Sequence, residues 1–300
     1  MIKIGDKNLP LVMNASGCWV LHPQQIESIA ITNKCVISKT CTLNPKPSNP
    51  LPNFIEYGNY SLNCKGLPNL GYITYKKLWL DYYKKNIVLV LSLDCSDLND
   101  LSIMLQDFNH YIEKAKIDTN DHSKELVELN ISCPNKNTNQ RIIGYDFKYL
   151  DKILNIIKDL DLKNIDIGLK LPPYIDKYLV EQLTALLIIY QSIIAYIVCS
   201  NSLPNCSSFN NGEYKLSMNI GSLSGELLKC IALSNVDQFS KLLTDYDIKI
   251  IGCGGISNVK DINDYLKVGA NGVQIGRALY LNGVDKLFEL NNNYIKKSKL

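Results

Sequence analysis

Eight short apolar runs, separated by longer segments of helical period, constrain what this chain can fold into more than any other feature. Read as strands, they are Leu11–Ala15, Cys35–Ser38, Ile87–Leu93, Leu126–Ile131, Ile167–Leu171, Ile193–Cys199, Ile248–Gly252 and Gly272–Gly276. Helices are predicted over Pro23–Thr32, Thr74–Lys85, Leu98–Lys116, Tyr145–Leu160, Lys177–Tyr190, Gly225–Leu243 and Val259–Val268. Strand then helix at this spacing favours a parallel sheet. About eight such units in 300 residues favour an α/β fold closed into a (β/α)8 TIM barrel over an open doubly wound sheet. With neither an internal repeat nor a linker, residues 1–300 read as a single domain.

Two stretches break the rhythm. Thr40–Ile73 is rich in Pro, Asn and Gly, and Asn201–Leu223 in Ser and Asn. Both leave the C-terminal ends of predicted strands, the face where barrel enzymes keep their chemistry. They read as long irregular loops with a functional role.

Composition removes several function classes. Lys+Arg 32 against Asp+Glu 29, spread along the chain, makes no basic stripe for a nucleic acid. Ten scattered cysteines without a CxxC pair, behind a start (MIKIGDKNLP) with no charged and apolar leader, indicate a reducing cytosol and a cytoplasmic protein. No apolar run reaches the roughly 18 to 20 residues of a membrane span. His22, His110 and His122 stand in helical or helix-end contexts outside any motif, and no cluster has zinc spacing, so no metal is expected.

The seventh predicted strand runs into GCGGI (Gly252 to Ile256), and the eighth into QIGRAL (Gln274 to Leu279). Glycines admit backbone N–H groups close to an anion, and barrels bind phosphate in the loops after strands 7 and 8. Gly254, Gly255, Gly276 and Arg277 therefore point to a cofactor with a terminal phosphate. Lys39 after CVIS and Lys170 within IGLKLPP put cations at strand ends, where they can face an anionic ring system. Snorkelling to solvent is the plainer reading of either lysine alone. Asn63, Asn69, Asn130, Asn135 and Asn201 offer uncharged donor and acceptor groups suited to a heterocycle edged with imides, although asparagine also punctuates loops.

ELVELNISCPN, Glu125 to Asn135, sets a thiol between two amides and a proline. Pro134 biases Cys133 towards an extended conformation on the loop leaving the fourth strand. With a reference pKa of about 8.5, a thiol there can accept a proton near neutrality if its surroundings help. The other nine cysteines read as packing residues.

Together these motifs resemble the soluble, class 1A dihydroorotate dehydrogenases, in order and over nearly the whole length. The matching segments are NASG (Asn14 to Gly17), SKTCTLNPKPSNPLP from Ser38, NCKGLPNLGY (Asn63 to Tyr72), ELNISCPN, KLPP (Lys170 to Pro173), SNS (Ser200 to Ser202), GCGGI and QIGRAL. The resemblance implies an FMN with its phosphate on Gly225, Gly254, Gly255 and Gly276, and with Ala15, Ser16, Lys39, Thr40, Asn130 and Lys170 around its ring and ribityl chain. It implies dihydroorotate or orotate held by Lys39, Asn63, Gly66, Leu67, Asn130, Asn135, Asn201 and Ser202. Cys133 would be the base that takes the C5 proton while hydride leaves C6. Fumarate, giving succinate, would reoxidise the flavin, and the enzyme would be a homodimer.

The chain departs from the pattern at Lys65, where the class usually has methionine, and at SLPNCSS after Asn201, where a glycine-bearing segment is expected. Thr40 and Arg277 replace a usual serine and threonine, and Arg277 could grip phosphate with two N–H groups. Lys65 and the altered loop keep two alternatives open: a diverged FMN oxidoreductase acting on another pyrimidine-like substrate, or a catalytically silent flavin- or orotate-binding protein. A tRNA-reducing flavin barrel would need a basic C-terminal extension, and the tail offers only KKSK.

Overall fold

The eight expected strands form one parallel sheet. They are β1 (Val12–Asn14), β2 (Cys35–Ile37), β3 (Val88–Asp94), β4 (Glu125–Asn130), β5 (Ile165–Lys170), β6 (Ile194–Cys199), β7 (Lys249–Cys253) and β8 (Gly272–Ile275). Their order, β1-β8-β7-β6-β5-β4-β3-β2, runs round a barrel whose one unladdered seam lies between β1 and β2. A side chain closes that seam. Asn14 accepts from the Ile37 N–H at 3.0 Å and donates to the Ile37 carbonyl at 2.7 Å, standing in for a peptide group. This computed structural model describes residues 1–17, 19–132 and 141–297.

Helices α1 (Pro23–Asn33), α2 (Tyr72–Tyr83), α3 (Leu98–Lys116), α4 (Phe147–Asp159), α5 (Lys177–Ile189), α6 (Lys229–Leu242) and α7 (Val259–Lys267) connect successive strands. Their starts follow capping chemistry. Asp97 accepts from Asn99 and Asp100 N–H groups, Asp176 from Tyr178, and Asn258 forms a capping box with Asp261. Strands covered on both faces read as continuous apolar runs, which is why the sequence placed them within a residue or two.

Three features differ from expectation. The two loops are not structureless: Phe54–Glu56 and Tyr60–Asn63 from the first join Leu203–Ser207 and Ile220–Gly225 from the second in a four-stranded antiparallel sheet, with Leu223 opposite Leu62. Gly225 ends that sheet instead of opening a helix, and α6 starts at Lys229. Pairing between distant segments leaves no local signal. Lastly, a hairpin, Ile2–Ile4 with Lys7–Leu9, plugs the N-terminal end of the barrel, its Ile2, Ile4 and Leu9 packing on Met13, Leu126 and Ile251. Its turn needs Gly5 (φ +51), where a Cβ would stand 2.1 Å from the Asp166 carboxylate. Beyond β8 the chain adds α8 (Arg277–Asn282) and α9 (Val284–Lys297).

Candidate active site

A pocket opens at the C-terminal end of the barrel, between the strand ends and the four-stranded sheet. Its lining includes Ala15, Ser16, Lys39, Thr40, Asn63, Gly66, Leu67, Asn130, Lys170, Asn201, Ser202, Gly225, Gly254, Gly255, Gly276 and Arg277. Every candidate residue within the described part of the chain except Asn69 is therefore on one wall or another. Cys133 and Asn135 lie outside the described residues. Asn69 is close by but turned away: it is buried and ties Thr42 and Gly71 together.

On one side Gly225, Gly254, Gly255 and Gly276 form a cradle. Gly255 (φ +65) has room for no Cβ, which would meet Lys229 Cβ at 2.8 Å and the Gly225 carbonyl at 2.9 Å. At Gly225 (φ +111) a Cβ would lie 2.5 Å from the Asn59 carbonyl. Backbone thus reaches the pocket here without side chains in between. The turn after β7 is fixed from behind. Asp261 accepts from the Ser257 and Asn258 N–H groups at 2.8 and 3.1 Å and from Lys229 Nζ at 2.5 Å. Burial pushes the Asp261 carboxyl up, but these bonds outweigh it and hold it below the usual carboxylate range. Arg277 does not present the expected two-pronged grip. Its Nη2 is taken by Glu56 and the Gly58 carbonyl, while Nε is buried without a partner among the described residues.

The floor is a chain of hydroxyls and amides crossing the strands. Thr40 Oγ1 lies 2.9 Å from both Ser16 Oγ and Ser92 Oγ, and accepts from Asn130 Nδ2 at 3.4 Å. Asn201 Nδ2 donates to Asn130 Oδ1 at 3.2 Å, and Asn201 Oδ1 accepts from the Ser202 N–H at 2.8 Å. Lys39 and Lys170 are 9% and 3% exposed, so neither snorkels to solvent. Lys170 Nζ donates to Gln274 Oε1 at 2.7 Å and reaches Cys253 Sγ at 3.4 Å.

On the opposite rim Asn63 ends the strand Tyr60–Asn63, and Gly66 and Leu67 follow it. Gly66 and Leu67 both take left-handed backbone (φ +78 and +60), and a Cβ on Gly66 would collide with the Asn49 amide. Asn49 holds this loop through the Cys64 and Lys65 carbonyls. Lys65 Nζ donates to Tyr280 Oη at 3.0 Å and sits over the Phe54 and Tyr280 rings, 5.4 and 4.2 Å from their centroids. Its charge is engaged within the wall.

Sequence reasoning missed Asn49, Phe54, Tyr280 and Gln274. Gln274 stood inside the quoted QIGRAL, and the alternation of β8 would have turned it inward. Asn49 carried no signal distinguishing it from the other asparagines. The buried thiols behave as packing residues. Burial, with Glu128 nearby, pushes the Cys35 thiol up to about 12, and burial also raises Cys41, Cys95 and Cys199.

Fold and site together define a (β/α)8-barrel enzyme with its chemistry at the C-terminal mouth, built around a glycine cradle and two buried lysines. The chain belongs to the dihydroorotate dehydrogenase family, whose profile matches residues 4–296. It is therefore an oxidoreductase of that type, and membership implies a flavin cofactor. It is 33% identical over 278 residues to a Streptococcus agalactiae protein assigned as dihydroorotate dehydrogenase A (fumarate), covering 91% of this chain and 84% of the relative. An Enterococcus faecalis protein of the same assignment is 30% identical over 284 residues, covering 93% and 87%. A crystal structure of the Eimeria tenella dihydroorotate dehydrogenase, solved with ferulenol, shares the fold with a TM-score of 0.74 at 15% identity, covering 96% of this chain and 82% of that one. No helix among the described residues is long and apolar enough to cross a membrane.

Proposed function

We propose that this protein oxidises dihydroorotate to orotate with FMN as its flavin and fumarate as the final acceptor, as a cytoplasmic homodimer. The observation that carries the reading is convergence: the glycine cradle, the paired lysines and the amide rim come from separate elements and line one pocket. The residues present suit a flavin phosphate. The cradle at Gly225, Gly254, Gly255 and Gly276 would be filled by added Cβ atoms at Gly225 and Gly255, and the buried Arg277 Nε beside it is a donor without a partner among the described residues.

In this reading Ala15, Ser16, Thr40, Asn130, Lys39 and Lys170 face the ring and ribityl chain. Bound FMN supplies the two-electron acceptor for the hydride that leaves the substrate. Lys39 and Lys170 favour negative charge on the pocket floor. Asn63, Gly66, Leu67, Asn130, Asn135, Asn201 and Ser202 orient the flat substrate, and Cys133 Sγ takes the C5 proton. The engagement of Lys65 by Tyr280 removes the main motive for a different substrate.

Anaerobic absorption spectroscopy tests the reading. The purified protein should be yellow, bleach with dihydroorotate and recover its colour with fumarate; absence of flavin, or of bleaching, overturns it. Cys133→Ser should keep the flavin and lose about 10²- to 10⁴-fold in activity at neutral pH, the range of a general base. Unchanged turnover would remove Cys133 from that role.

A further inference from the structure

Side chains from the even-numbered strands meet on the barrel axis below the pocket: Cys35 of β2, Glu128 of β4, Tyr196 of β6 and Gln274 of β8. All are nearly or wholly buried, Glu128 completely so. Barrels of this kind fill such layers with aliphatic side chains from alternate strands. This layer is polar and hydrogen-bonded. Gln274 Nε2 donates to Glu128 Oε2 at 2.8 Å, and Tyr196 Oη donates to the same oxygen at 3.4 Å. Strand β5 gives up a side chain to admit the Tyr196 ring, since a Cβ on Gly168 would lie 2.1 Å from Tyr196 Cζ. Packing alone requires neither a carboxyl nor an amide there, and burying them is costly unless their hydrogen bonds serve something.

What they reach is Lys170, on the pocket floor. A carboxamide can turn either end towards a neighbour; because Glu128 takes Nε2, Oε1 is committed to Lys170 Nζ at 2.7 Å. Of the three N–H groups on the ammonium, Gln274 takes one and Cys253 Sγ lies within reach of a second. Among the described residues, the third is left for the pocket that Lys170 lines. The titratable groups around it, among the described residues, include Cys253 on β7, Cys199 on β6 and, one layer down, Glu128 and Tyr196.

We infer that Glu128 and Gln274 are positioning residues: they form a relay that holds the Lys170 ammonium in place and tempers its charge, and so set how strongly a bound reduced flavin is favoured over the oxidised form. The redox half of this statement rests on the flavin reading above; the relay itself does not. The carboxyl acts on the ammonium through an amide, so its influence on a ligand is indirect, as with the outer-shell partners of metal ligands. Neighbouring hydrogen bonds in such a chain also polarise one another.

Two isosteric changes test it on the full chain as purified. Glu128→Gln removes the carboxyl, and Glu128→Gln with Gln274→Glu moves it one link closer to Lys170. Side-chain volumes are alike throughout, so a packing role predicts no difference. The 13C NMR signal of Lys170, on lysine labelled at Cε, recorded at one neutral pH and assigned by its loss in Lys170→Met, gives the first readout. It should shift in Glu128→Gln and shift the opposite way in the swapped protein. The flavin potential gives the second. Glu128→Gln should favour reduced flavin about ten-fold, a rise of about 30 mV for two electrons, and the swap should move it the other way. An unmoved Lys170 signal together with a flavin equilibrium within two-fold of the parent, in whichever variants fold, would overturn the relay. A protein that carries no flavin defeats the flavin reading instead, and the Lys170 signal then decides the relay alone.

Discussion

At the N-terminal end of the barrel Lys7 and Lys116 both bring their ammonium groups to Glu125 Oε1 at 2.7 Å, and Trp79 Nε1 donates to the other oxygen at 3.3 Å. At the C-terminal end Lys170 meets a neutral amide oxygen at the same distance, and a carboxyl only beyond it. Both ends bury lysine, but they use it differently. Direct pairing neutralises charge and pins the hairpin plug to β4 and α3. Pairing through an amide keeps a cation fixed while leaving most of its field available to the pocket. The stable end of the barrel and its working end are thus told apart by how far each lysine sits from its counter-charge.

Breaking the direct pair should give the largest effect. Glu125→Ala leaves the buried Lys116 and the partly buried Lys7 without their shared acceptor and should cost about 3 to 5 kcal/mol, read by urea unfolding, while ligand affinity of the folded fraction stays unchanged. A loss under 1 kcal/mol would mean that Lys7 and Lys116 find water as readily as they find Glu125. Lys170→Met should do the reverse. Removing a fixed cation from the site should lower turnover about 10²- to 10³-fold, with a smaller loss of stability than Glu125→Ala produces. If the two substitutions damaged stability alike, the contrast between the ends would be lost.

Acid should sharpen the contrast further, with the smallest effect. Burial pushes the Asp121 carboxyl up, but hydrogen bonds from Ser123 and Lys116 outweigh it and hold it below the usual carboxylate range. A carboxyl depressed in the folded state contributes stability above its unfolded value, near 3.9, and loses it as pH falls through the folded value. Amide exchange around Ser123 and in the Lys7–Leu9 strand should therefore quicken below about pH 4 while the strand ends at the pocket stay protected. Equal quickening at both ends would argue against a locally held plug.

Much of this was legible in residue order. Runs such as Val88–Asp94 and Ile194–Cys199 are buried on both faces, so their apolar continuity marks them wherever they end up. The glycines at 254 and 255, and the lysines at 39 and 170, stand out only in combination, since either lysine alone reads more plainly as snorkelling to solvent. Arg277 shows where such reading stops: it lines the pocket, but its Nη2 turns to Glu56, more than two hundred positions away in the chain. The sheet joining the two long loops was invisible for a related reason. Leu62 and Leu223 pair across strands with no shared period or turn between them.

The amino-acid order alone therefore determined which segments are strands and helices, that they close as a parallel barrel, and which residues crowd its mouth. These follow from local periodicity and from the conformations that glycine and proline allow. Only the tertiary structure decided that Asn14 closes the β1–β2 seam, that distant loops build one sheet over the pocket, and that Glu128 reaches Lys170 through Gln274. Those outcomes depend on the level at which each strand crosses the barrel axis, a property of closure and stagger that no single strand encodes.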